Sequence, residues 1–245
     1  MQRTQHGAFP NTRWSVVVSL RQSGDLRESR VALEELCKIY WRPIYSYARR
    51  QGLEPADAED VTQGFFAFVL DKDLFSNADE NLGKLRNYLL TAFSRHIRHW
   101  HRQAGAQKRG GGSEILSIEA SQAEGQITID PADLRTPESI FQKQCAMEII
   151  AAAVQMLEQE QIAAGKSELY RHLRPRLDPT KADSENDADL AARLGMSHES
   201  VRQQVSRLRK RFREIMRNVV ASTLQEPTEE SLNEELAALR QALLG

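Results

Sequence analysis

The sequence predicts an all-α protein of two helical domains joined by a flexible linker. Three observations predict it. Apolar residues recur at helical spacing along most of the chain, convincing strand alternation is scarce, and a glycine-rich polar run beginning near residue 109 divides the patterned segments. The 245 residues suffice for two small domains, and 40% hydrophobic with 27% charged residues is the balance of an ordinary globular chain.

An N-terminal extension, residues 1–24, carries a short helix through "RWSVVVSLRQS" that stops at Gly24. The first domain follows, residues 25–108. Its opening helix runs from about Glu28 to Arg50, with Val31, Leu33, Leu36, Ile39, Tyr40, Ile44 and Tyr47 on a broad apolar face. Pro43 should kink or split it, because proline removes a helical N–H and clashes with the preceding turn. Gly52 ends it. "EPADAEDVTQGFFAFVL" begins the next helix, its acids gathered at the positive end of the helix dipole.

A fourth helix is built from "KLRNYLLTAFSRHIRHWHRQ", and its composition is unusual. No Asp or Glu occurs from Asn81 to Ser113, where about five would be expected from the chain's own acidic frequency. Leu85, Tyr88, Leu89, Ala92, Phe93, Ile97 and Trp100 share one face. Asn87, Thr91, Arg95, Arg98 and Arg102 share another, at spacings of four, four, three and four, with Lys84 and Arg86 at the start. One face packs and the other is a cationic row. Tyr88 and Trp100 stand at its edges, where rings could stack on unpaired bases while arginines hold phosphates; packing in the core is the other reading of each ring. His96, His99 and His101 do not share a face and have no carboxylate or thiol nearby, so they make no metal site.

Residues 109–136 read as the linker, with "GQITID" as a brief strand candidate. The second domain spans 137–223. Thr136 caps a long helix with Pro137 in its first turn, and Ile140, Met147, Ile150, Val154 and Leu157 point inward. A shorter helix covers "SELYRHLRPRL", and "DPTKADSEND" is a loop. "DLAARLGMSHESVRQQVSRLRKRF" then has helix-turn-helix grammar: small Ala191 at the crossing, Gly195 in the turn, Ser197 as the next cap. Val201, Val205, Leu208, Phe212 and Ile215 form the inward stripe. Ser200, Arg202, Gln203, Ser206, Arg207 and Lys210 face outward, and Arg193–Arg217 holds eight basic residues against two acids. The tail, residues 224–245, is acidic and amphipathic, with Leu232, Leu236, Leu239 and Leu243 at helical spacing. Folding back on the protein or docking a partner are its two readings.

These motifs, in this order, resemble a bacterial RNA polymerase sigma factor of the extracytoplasmic-function type. "DAEDVTQGFFAFVL" resembles the region two helix that docks on the polymerase clamp, which implies core-polymerase contacts for Asp57, Asp60, Gln63 and Phe66. The acid-free helix resembles the segment that captures the melted minus-ten element, implying DNA contacts for Lys84, Arg86, Asn87, Tyr88, Thr91, Arg95, Arg98 and Arg102. The helix-turn-helix resembles region four, which reads the minus-thirty-five element, through Ser200, Arg202, Gln203, Ser206, Arg207, Arg209 and Lys210. The family usually has Trp in place of Tyr88, Asn in place of Arg95 and Asp near His99, so base choice does not carry over.

The resemblance implies core RNA polymerase and promoter DNA as partners and leaves room for an inhibitory (anti-sigma) protein. No catalytic constellation, cofactor motif or metal cluster is legible, so the chain is not expected to be an enzyme. Cys37 and Cys145 are far apart in apolar helical patterns, and there is neither an apolar run of about 18 residues nor an apolar signal core. A cytoplasmic protein without membrane contact is the expectation. A stand-alone helix-turn-helix transcriptional regulator is the alternative, and an adaptor that only sequesters partners through its acidic tail is a third reading.

Overall fold

The computed structural model describes residues 26–70, 84–107, 118–125, 135–178, 187–224 and 227–244. The expected N-terminal helix and the "GQITID" strand lie outside these residues. The described chain is all-α: nine α-helices and a short 3-10 turn, with a single antiparallel bridge pairing Lys84 and Leu224. It divides into two compact units, one of Met1–Glu148 with Val220–Gly245 and one of Ile149–Val219. That division differs from the one expected at residues 109–136.

The first unit opens with α1, Leu26–Arg50. It is one helix through Pro43, not split there. The flanking side chains Ile39, Tyr40, Ile44 and Tyr45 are all buried, and this packing outweighs the one lost helical hydrogen bond. Gly52, at φ 87°, takes the left-handed shape that closes the helix. Next come α2, Pro55–Leu70, and α3, Leu85–Gln107. Their core is aromatic: Phe65 meets Phe93 edge-on with centroids 5.0 Å apart, and Tyr47 meets Phe93 at 6.1 Å and Phe141 at 6.3 Å.

Within the stretch read as linker lies a helix, α4, Ile118–Glu124. Ala120 and Ala123 are buried, and small side chains let this short helix sit close to its neighbours. Glu124 then fixes it to α1, taking Arg49 Nε at 2.5 Å and accepting a 2.9 Å hydrogen bond from Tyr45 Oη. The sequence hid this helix because, among its described side chains, the buried ones are two alanines.

Helix α5, Pro137–Ala163, begins as expected, with Thr136 Oγ1 accepting from Ser139 N at 3.1 Å. Its buried positions differ from the expected set. Phe141, Cys145, Ile149, Ala153 and Leu157 step by four, whereas Met147 is 48% exposed and Ile150 and Val154 are only half-buried. Its first part belongs to the first unit: Tyr47 Oη donates to Glu138 Oε1 at 3.0 Å, and Arg42 pairs with Glu148 at 3.6 Å. Both cysteines are free; burial and the nearby Glu34 push the Cys37 thiol up to about 11.

The second unit continues from α5 into α6, Ser167–Leu173, the 3-10 turn Arg174–Leu177, α7, Asp187–Leu194, and α8, His198–Ala221. Arg211 grips Glu160 with two hydrogen bonds of 2.8 and 2.6 Å, and Tyr170 Oη reaches Val154 O at 3.4 Å. The last helix, α9, Glu229–Leu244, belongs to the first unit. The acidic tail folds back. No described helix is long and apolar enough to cross a membrane.

Candidate nucleic-acid interface

The cationic row on α3 forms as a surface. Asn87, Thr91, Arg95, Arg98 and Arg102 are all exposed, while Leu85, Leu89, Phe93 and Ile97 on the opposite side are buried. The helix carries no Asp or Glu of its own. Thr91 Oγ1 donates to Asn87 O at 2.9 Å, Arg98 Nε donates to Ser94 O at 3.2 Å, and Asn87 Oδ1 accepts from Gln142 Nε2 at 3.0 Å. These bonds tie Thr91 and Arg98 to the preceding turn of α3 and Asn87 to Gln142. Tyr88 is half-buried beside it, and burial raises its phenol above the ordinary value while Arg95 opposes the shift. Trp100 is also half-buried, with His101 edge-on at 5.3 Å.

The first two cations of the stretch do not join this surface. Arg86 is buried, in direct ionic contact with Glu235 of α9, which is itself only 2% exposed. Lys84 Nζ lies 3.0 Å from the other Glu235 oxygen. Burial lowers the basicity of both, and for Lys84 the neighbouring Arg86 charge adds to it. Lys84 and Arg86, expected among the DNA contacts, are each taken up in this fold by a carboxylate from the far end of the sequence. Sequence reasoning missed Glu235, although an acid placed between Leu232 and Leu239, three and four residues away on the apolar stripe, was the available signal.

On α2 the polar residues Asp57, Asp60 and Gln63 are exposed as expected. Phe66 is not on their face. It is 4% exposed and packs edge-on against Phe65 at 5.8 Å, because the helical turn carries it to the core side. The exposed ring is Phe68, 40% accessible and stacked on His96 at 5.7 Å. Gln63 is oriented by Glu59, whose Oε1 accepts from Gln63 Nε2 at 2.8 Å. His96 sits between Phe68 and Phe65, and burial together with His99 lowers its pKa.

In the second unit a helix, a tight turn and a capped helix form where the sequence places them. Gly195 takes φ 62°, Met196 N bonds back to Ala191 O at 3.0 Å, and Ser197 Oγ accepts from Ser200 N at 3.2 Å. Val201, Leu208 and Ile215 are buried under α8, with Val205 and Phe212 half-buried between them. Arg202, Gln203, Ser206, Arg207 and Lys210 are exposed. Gln203 Nε2 reaches Glu199 Oε1 at 3.4 Å. Ser200 is half-buried, its backbone serving the cap. Arg209 is half-buried too, its Nε donating to Arg176 O at 3.0 Å, so it braces the unit as well as edging the face.

The chain thus presents two positively charged helical faces, one on α3 beside half-buried aromatics and one on α8 after a tight turn. Comparison with protein-family models, with curated proteins and with solved structures gives no match.

Proposed function

We propose that the protein is a sigma factor of the extracytoplasmic-function type, which binds core RNA polymerase and directs promoter recognition. One observation carries the reading: the exposed row of Thr91, Arg95, Arg98 and Arg102 lies on a helix without carboxylates and is flanked by Tyr88 and Trp100. A melted strand offers a line of phosphates plus open base faces, and cations with stacking rings are what it needs from a receptor. The capped helix-turn-helix supports the same reading. Arg202, Gln203 and Ser206 at the start of α8 suit base edges in a major groove, and Arg207 with Lys210 suit phosphates. On α2, Asp57, Asp60 and Gln63 with Phe68 form a polar face bearing one exposed ring, suited to a protein partner.

The test is transcription in vitro with purified core polymerase on a pool of genomic promoters. The expected result is initiation at a defined promoter set only when the protein is added. Tight, sequence-specific duplex binding with no effect on core polymerase would favour a stand-alone regulator instead.

A further inference from the structure

The acidic tail does not simply cover apolar surface. Along the sixteen residues of α9 Leu232, Glu235 and Leu239 are buried and Leu236, Ala238, Ala242 and Leu243 half-buried, so a carboxylate sits in the middle of an apolar seat. The carboxylate lies against the first two cations of the acid-free stretch, Lys84 and Arg86, and Glu234 adds negative charge towards Lys84. The seat is imperfect. Glu235 is in ionic contact with Arg86 Nη1, but neither that nitrogen nor buried Arg86 Nε makes a well-formed hydrogen bond among the described residues. Buried ion pairs hold a fold together less well than apolar packing of the same volume, so charges here serve seating poorly. They serve competition well, since a carboxylate and a phosphate seek the same guanidinium.

We propose that α9 is an intramolecular acidic strap that competes with single-stranded nucleic acid for Lys84 and Arg86. Closed, it leaves the strand Arg95, Arg98 and Arg102 among the described cations of α3; displaced, it adds two cations at the start of the same helix. This rests on the strand-capture reading of α3 given above.

The probe is a fluorescein-labelled, mixed-sequence single-stranded oligodeoxynucleotide, titrated by anisotropy across a salt series. Glu235→Gln removes the competing charge while keeping the side chain's size. The expected outcome is binding at least threefold tighter than wild type. Its log–log salt slope should be steeper by about 1.4, since each cation given to a single strand contributes about 0.7. Equal affinity and slope in the two proteins would overturn the strap. The capture reading is checked separately by Arg98→Glu: if that variant binds the oligonucleotide as wild type does, the reading of α3 fails together with the strap. If Arg98→Glu loses binding while Glu235→Gln changes nothing, only the strap falls. Should Glu235→Gln not fold, hydrogen exchange on the wild-type chain decides. Saturating oligonucleotide should speed exchange of the α9 amides, and unchanged or increased protection there would refute displacement.

Discussion

Asp60 and Gln63 are exposed on α2, and the Gln63 amide is held by its 2.8 Å bond to Glu59. A partner would meet a preset amide beside a free carboxylate, so the double change Asp60→Ala with Gln63→Ala is expected to weaken core-polymerase binding by about 1–3 kcal/mol. A pull-down titration checks it, with circular dichroism to show the helices intact. On α3, Arg98→Glu places a negative charge in the middle of the cationic row. Open-complex formation should fall sharply while core binding stays as in wild type, because the α2 face is on another helix. Tyr88→Ala should be milder, costing roughly 1–3 kcal/mol of strand binding if its ring stacks on one base. A promoter carrying a preformed bubble separates strand capture from melting. His96 gives a pH signature. Burial against Phe65 and Phe68, and the nearby His99, hold its folded pKa below the ordinary value of 6.5, so the unfolded chain takes up its proton first. Its contribution to stability is then full above pH 6.5 and is lost as pH falls from there through the folded pKa. Replacing His96 with Gln should flatten the acid side of a thermal-unfolding profile, and an unchanged profile would contradict this assignment.

At the scale of elements, the turn between α7 and α8 rests on two residues. A β-carbon at Gly195 would meet nothing within 4 Å, so Gly195→Ala is penalised only by the left-handed backbone at φ 62°, about 1–2 kcal/mol. Ser197→Ala removes the oxygen that accepts from Ser200 N and should cost about 1 kcal/mol. Urea unfolding of the full chain measures both. These features were legible in the sequence because each depends on neighbours three or four residues away. The cap at Thr136, the end at Gly52 and the exposed row of α3 were legible for the same reason. What depended on distant partners was not. The stretch "GFFAFVL" carries three rings, and which of them faces the core is set by α1 and α3. Helix α4 escaped notice because its hold on α1 comes from Glu124 meeting Arg49, 75 residues earlier. The inward face of α5 was misjudged at Met147 because the helix is alanine-rich there, so its apolar pattern does not fix a single direction.

At the scale of the whole molecule, the first unit is assembled from two separated pieces of chain, one ending at Glu148 and one beginning at Val220. Removing residues 225–245 would take away Leu232, Glu235 and Leu239 together and leave Arg86 without its carboxylate. Hydrogen exchange should then show α1–α3 losing protection while α7 and the start of α8 keep theirs; equal losses everywhere would mean that the units do not behave separately. The same discontinuity also imposes an order in time. Arg86 and Glu235 are 149 positions apart, and at about 5–20 residues per second a ribosome needs roughly 7–30 s to travel from one to the other. For most of that interval, from Gln107 to Glu229, the nascent first unit has α3 made and α9 not yet begun. Its two opening cations lack their carboxylate then, beside the polyanionic RNA of the machine that is making them. The newborn chain is thus more basic at this surface than the finished one, and synthesis of Glu235 marks the moment when that excess charge can be withdrawn.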